Sequence, residues 1–150
     1  MSQDKKRNWT NLLFILAIII VFSIYSMVHA RQGVSYQLTG SAFALTGPEG
    51  FMAEINLNNV KSLEFRSEYT RGTCVTGNTN GGYSYGIWEN EEFGEYQLCV
   101  LDKVPACVVI TENNGTVTVF NFENTRTTMD FGNTLDKYMR ENSYGQLRNG

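Results

Sequence analysis

The residues of this chain whose types suit chemistry are few, and most lie in its second half. Tyr83, Tyr85 and Trp88 belong to an alternating aromatic run, Tyr83–Trp88, with Phe93 and Tyr96 close behind. Aromatic rings shown together on one strand can stack on a sugar or anchor a partner protein, and the same rings can simply fill a core. The carboxylates Glu89, Glu91, Glu92 and Glu95 follow. Oxygen ligands of this kind suit a hard cation, and two carboxylates across a cleft suit general acid–base work. Their spacing fits no calcium-binding loop and nothing in the pattern sets two of them across a cleft, so a solvated turn explains them more simply. No metal ligand and no catalytic residue is assigned.

The remaining patterns exclude more than they suggest. The single histidine, His29, precedes the polar part of the chain. That removes Ser-His-Asp, Cys-His and histidine–zinc chemistry from everything after it. Asp130-Phe131-Gly132 spells the kinase metal-binding tripeptide, yet it falls in a helical pattern with no catalytic loop and no nucleotide loop. The glycine-rich stretch Gly77–Gly82 is followed by no Gly-Lys-Ser/Thr and opens no helix, so it lacks the geometry that cradles phosphate. The reading is of a protein that is not an enzyme and needs no cofactor.

Three cysteines, Cys74, Cys99 and Cys107, are an odd number. If Lys103 centres a hairpin, positions 99 and 107 face each other across it, which permits a Cys99–Cys107 disulfide with Cys74 left free. Three reduced, buried thiols are the alternative.

These residues have to be positioned by two very different segments. Leu12 to Val28 holds seventeen residues without a charge, roughly 25 Å of helix at about 1.5 Å per residue. Trp9 and Ala30 extend it to a span of 9–30, long enough for a bilayer. Lys5, Lys6 and Arg7 precede it in a basic flank, 1–8, which places the N-terminus in the cytoplasm and the rest of the chain outside. The same segment admits a cleaved signal peptide ending at Val28-x-Ala30; its length and the Trp9 anchor favour a retained single-pass anchor in the cell membrane. The total charge of −3 divides unevenly: residues 1–30 carry three basic and one acidic residue, +2, which leaves nine basic and fourteen acidic, −5, for the rest. An acidic exterior argues against nucleic acid and anionic lipid as partners.

From Val34 the texture turns to short alternating runs broken by Gly, Asn and Pro. Extended segments are expected at Val34–Leu45, with Gly40 marking a bulge or bend, and at Phe51–Leu57, Val60–Tyr69, Tyr83–Trp88, Phe93–Leu101, Ala106–Thr111 and Thr116–Phe122. Arg71–Gly82 reads as a long irregular connection or a bulged strand. Asn113-Asn114-Gly115 marks a hairpin joining the last two segments. Thr127-Thr128-Met129-Asp130 resembles a capping box, and Phe131, Leu135, Tyr138 and Met139 form one apolar stripe, which predicts a helix from Thr128 to about Met139 and a fraying polar tail, 140–150.

Residues Ile55 to Leu63, Arg71-Gly72, Gly86-Ile87-Trp88 with Phe93-Gly94, Val108 to Thr111 and the Asn-Gly hairpin before the final helix carry a family likeness. The stretch 34–139 resembles a bacterial pleckstrin-homology (PH)-like domain of the type that follows a membrane segment. The resemblance implies a mainly β fold: a seven-stranded, two-sheet barrel capped by the C-terminal α-helix, here preceded by an N-terminal transmembrane helix. Members that bind phosphoinositides use a cationic loop near the first two strands. The corresponding turn here, Thr46-Gly47-Pro48-Glu49, has no lysine or arginine, which argues against that ligand.

The expected function is a non-catalytic, membrane-anchored extracytoplasmic module that contacts another membrane or extracytoplasmic protein. Its alternative is a small-ligand or glycan-binding domain using Tyr83, Tyr85 and Trp88. A carboxylate hydrolase around Glu89–Glu95 is the weakest of the three.

Overall fold

In the computed structural model the described backbone comprises residues 13–25 and 33–148, with side chains described as far as residue 141. The chain divides into two compact units, Met1–Gln32 and Gly33–Gly150. In the first, residues 13–25 form the helix α1, and its large apolar side chains, Phe14 and Phe22 at 69% among them, are all exposed. Among the described residues no helix is long and apolar enough to cross a membrane. The basic flank 1–8, both ends of the expected 9–30 span and His29 lie outside the described residues.

The second unit is mainly β. Its strands are β1 (Ser35–Thr39), β2 (Ala42–Thr46), β3 (Met52–Asn56), β4 (Val60–Arg66), β5 (Thr73–Asn80), β6 (Tyr83–Asn90), β7 (Gly94–Leu101), β8 (Cys107–Glu112) and β9 (Val117–Phe120), followed by the helix α2 (Thr125–Arg148). They form a three-stranded sheet, β1-β2-β3, and a six-stranded sheet, β4-β8-β9-β7-β6-β5.

The two sheets and the terminal helix are as expected, and the seven-stranded barrel is corrected in three ways. Gly40, at φ +57°, is not a bend in one long strand; with Ser41 it reverses the chain, so Thr39 pairs with Ala42 and two strands stand where one was expected. Of the two readings of Arg71–Gly82, the bulged strand is the one observed and adds to the count: β5 pairs along its length with β6, with a bulge between Cys74 and Thr76. Lastly, β7 and β8 are not a hairpin, because β9 lies between them, parallel to β7 and antiparallel to β8. The sheet ends at β4 and β5, and the barrel does not close.

Asn121 holds that insertion in place. Fully buried, its Oδ1 accepts the Leu101 N–H at 2.6 Å while its Nδ2 donates to the carbonyls of Leu101, at 3.2 Å, and Val104, at 2.9 Å. The carboxamide thus copies a backbone partner at the end of β7 and satisfies groups that the bend at 102–106 would leave unpaired.

The alternation of β-strands splits the core between the two faces of the large sheet. One face carries Tyr85, Cys99, Val108, Ile110 and Phe120, which pack against Phe43, Leu45 and Ile55 of the small sheet and Phe131 and Leu135 of α2. The other carries Trp88, Tyr96, Leu98, Val100, Cys107, Val109, Val117 and Val119. The second face is enclosed because the sheet curls over it. Arg66 at the end of β4 reaches Glu92 beyond β6 at 2.6 Å and lies over the Phe93 ring at 5.2 Å, although three strands separate β4 from β6 in the hydrogen-bonding order. The connection from Arg66 to Thr73 also has to cross from one sheet edge to the other. Fully extended it covers about 24 Å, no more than the width of six flat strands at about 4.8 Å spacing, so curling relieves it.

α2 starts earlier and runs further than its apolar stripe predicts. Asn124 is the cap: its Oδ1 accepts the Thr127 N–H at 2.9 Å and its carbonyl accepts the Thr128 N–H at 3.1 Å. The Thr127–Asp130 capping box does not form, and Asp130 faces Arg126 one turn away instead. At the other end the tail does not fray at Arg140. Pairs one turn apart, Asp136–Arg140 at 2.9 Å and Lys137–Glu141 at 3.8 Å, carry the helix onward.

Candidate functional site

The aromatic run Tyr83–Trp88 does not make a platform. Tyr83 and Tyr85 belong to the face that meets the small sheet, whereas Trp88 belongs to the enclosed face. Tyr85 and Trp88 are each 5% exposed. Over Trp88 lies the Arg71 guanidinium, 5.1 Å from the ring, and Arg71 Nη1 also donates to Ser84 Oγ and Asp102 Oδ1, both at 2.8 Å. Ser84 in turn donates to Asp102 at 2.7 Å. This buried serine links the Arg71 guanidinium to Asp102.

The cysteines are free. Cys99 faces the small sheet and Cys107 the enclosed core, with β9 between them. Two strand spacings put their backbones about 10 Å apart, beyond the roughly 7 Å a disulfide spans. The expected Cys99–Cys107 bridge therefore fails on register. Burial pushes both thiols up to about 12.

Among the carboxylates, Glu89, Glu91 and Glu92 line a depression of about 580 Å³ with Thr70 and Thr73. Glu92 is already paired with Arg66. No group of three metal-ligating side chains converges among the described residues.

The arrangement with unspent polar capacity is elsewhere, where the β2–β3 turn leans over β5 and β6. The turn is closed by Gly47 N–H donating to the Phe51 carbonyl at 2.9 Å and Phe51 N–H donating to the Pro48 carbonyl at 3.0 Å. It sits directly on Cys99: a Cβ at the buried Gly47 would strike the Cys99 sulfur. That seat sets Glu49 over Tyr85. Glu49 holds a left-handed backbone, φ +53°, and is the sole non-glycine residue at positive φ among the described residues. Its Oε1 accepts from Asn80 Nδ2 at 2.8 Å.

Beneath it, the Tyr85 hydroxyl is buried without a well-formed hydrogen bond. It still lies near enough to Glu49 to be the main cause of that carboxyl's lowered pKa, with Asn80 second. Burial first, and the Glu49 carboxylate second, push the Tyr85 phenol up to about 12. A groove of about 540 Å³ opens here, lined by Glu49, Phe51, Thr76, Asn78, Tyr85 and Gln97 among others, and Glu49 is the one charged residue in its wall among the described residues. Gln97 is held by Thr118, whose hydroxyl donates to it at 3.3 Å.

Along one side of this groove runs β5. All eight of its residues are exposed, and its outer edge pairs with no described strand. Of the groove, the sequence singled out Tyr85 alone. Glu49, Asn78, Asn80 and Gln97 come from a turn and two separate strands, β5 and β7, and no spacing in the chain links them.

No family model, curated protein or solved structure matches the chain.

Proposed function

We propose that this protein is a non-catalytic, membrane-anchored binding module that docks an extended segment of another membrane or extracytoplasmic protein along β5. The observation that carries the reading is a groove of about 540 Å³ partly lined by a strand whose outer edge pairs with no described strand. An added strand gains affinity from main-chain hydrogen bonds and specificity from a pocket that receives its alternate side chains. The bulge between Cys74 and Thr76 limits regular pairing to Thr76–Asn80, so the docked stretch is short and the groove has to supply much of the selectivity.

In this reading the 9–30 segment is the anchor, with the basic flank in the cytoplasm and the acidic unit outside. The uniformly exposed apolar side chains of α1 support it. Kinship with bacterial PH-like domains enters only through what is shared, antiparallel β structure with a terminal helix laid against it. The glycan alternative loses its platform, because Tyr85 and Trp88 are buried on opposite faces.

The reading is tested by panning random linear peptides against the full chain in a neutral polyoxyethylene detergent. Selected peptides are expected to shift the amide resonances of residues 73–80 and to slow their hydrogen exchange. Failure to select any peptide, or peptides that perturb α2 alone, would overturn it.

A further inference from the structure

We propose that the groove beside β5 receives a basic side chain, a primary ammonium or guanidinium, with Glu49 as its counter-ion. This rests on the strand-docking reading and names what the groove selects. Four observations converge on it. Glu49 is the one charge in the lining, and among the described residues no cation pairs with it. Asn80 donates to one of its oxygens, Oε1, so the carboxylate is held by neutral groups and its charge is not cancelled. Tyr85 brings into the same wall a buried hydroxyl that is close to Glu49 but makes no well-formed hydrogen bond; its oxygen has lone pairs that can take an N–H from the ligand. A buried polar atom without a partner is rare enough to need an explanation, and an incoming donor supplies one.

The backbone points the same way. A left-handed φ costs a glutamate more than it costs glycine or asparagine. Gly50 stands next in the chain, so the carboxylate is kept at a position that glycine would occupy with less strain. Phe51 and the methylene of Gln97 give the aliphatic stem of a lysine or arginine something to lie against. The wider charge agrees: Glu89, Glu91 and Glu92 flank the Thr73 end of β5, and the strand itself carries no lysine or arginine.

The probe is n-butylammonium, a lysine side chain without its backbone, titrated into the isotope-labelled full chain in a neutral polyoxyethylene detergent. N-butylacetamide, the uncharged counterpart, is the control. Saturable shifts are expected at Gly50, Gly77 and the Asn78 side-chain amide with the ammonium and not with the amide. Glu49→Gln, at an exposed turn, should weaken binding at least fivefold, and Tyr85→Phe should weaken it by a smaller factor. Equal binding of the amide, no effect of Glu49→Gln, or a neutral sugar filling the groove in both wild type and Glu49→Gln would overturn the proposal. If selected peptides bind while butylammonium does not, strand docking stands and the basic preference falls. If butylammonium binds and no peptide does, the groove assignment stands and strand docking falls.

Discussion

Glu49 and Tyr85 owe their relation to Gly47, because only a residue without a Cβ lets the β2–β3 turn sit on Cys99. The cysteines obey the same logic of faces. Sequence spacing makes Cys99 and Cys107 look like hairpin partners, but spacing counts residues and cannot count the strand inserted between them. Cys74 is exposed on β5, while Cys99 and Cys107 are both 0% exposed. Maleimide labelling read by mass should therefore modify one thiol per native chain and three in denaturant, whether or not reductant is added first. A denatured chain that takes one label without reductant and three after reduction would restore the disulfide. A chemistry-bearing residue was readable where it stands in a local run, as Tyr85 does within Tyr83–Trp88. The groove was not, since its members meet only through the packing of the small sheet on the large one.

Among the elements, the hairpin of β8 and β9 announced itself through Asn114-Gly115, and the apolar stripe through Phe131 and Leu135 announced α2. Both are local signals that tertiary contacts reinforce. The place of β9 between β7 and β8 carries no such signal. It depends on Asn121, which in the sequence looks like one more inward residue of an alternating strand. Replacing Asn121 with leucine keeps the branched heavy-atom shape and removes three hydrogen bonds from buried backbone groups of residues 101 and 104. Unsatisfied groups of this kind cost roughly 1–3 kcal/mol each when water cannot reach them. Urea unfolding of the variant should show a midpoint lowered by at least that much stability with an unchanged slope. An unchanged midpoint would mean that the bend at 102–106 holds itself. Strand β5 was half legible, as an irregular connection or a bulged strand, for a different reason: its polar, glycine-rich sequence lacks an apolar face, and its one strand partner is β6.

At the scale of the whole molecule, a curled sheet with a core on each face explains why so short a chain buries so many ionisable groups in neutral form. Tyr85, Tyr96, Cys99 and Cys107 are each pushed up to about 12 by burial. The unfolded chain would release these protons first, thiols near pH 9.0 and phenols near 10.0. Their contribution to stability is therefore complete below about pH 9 and lost as pH climbs toward about 12, at up to about 1.4 kcal/mol per group and pH unit. Thermal unfolding followed by tyrosinate absorbance should show the melting temperature falling steeply across that window; a flat profile would place these side chains in water.

The overall β class and the terminal helix followed from periodicity, whereas barrel closure did not, because closure depends on strand order rather than on strand count. What remains central is the edge of β5. The most direct measurement places a photo-crosslinking amino acid at Val75, 47% exposed on β5, and in a second variant at Met129, 41% exposed on α2. Irradiation in native membranes should give a discrete adduct from position 75 whose crosslinked peptide is an extended, lysine- or arginine-bearing segment of another protein, and none from position 129. Adducts from position 129 alone, or from neither position, would contradict the account.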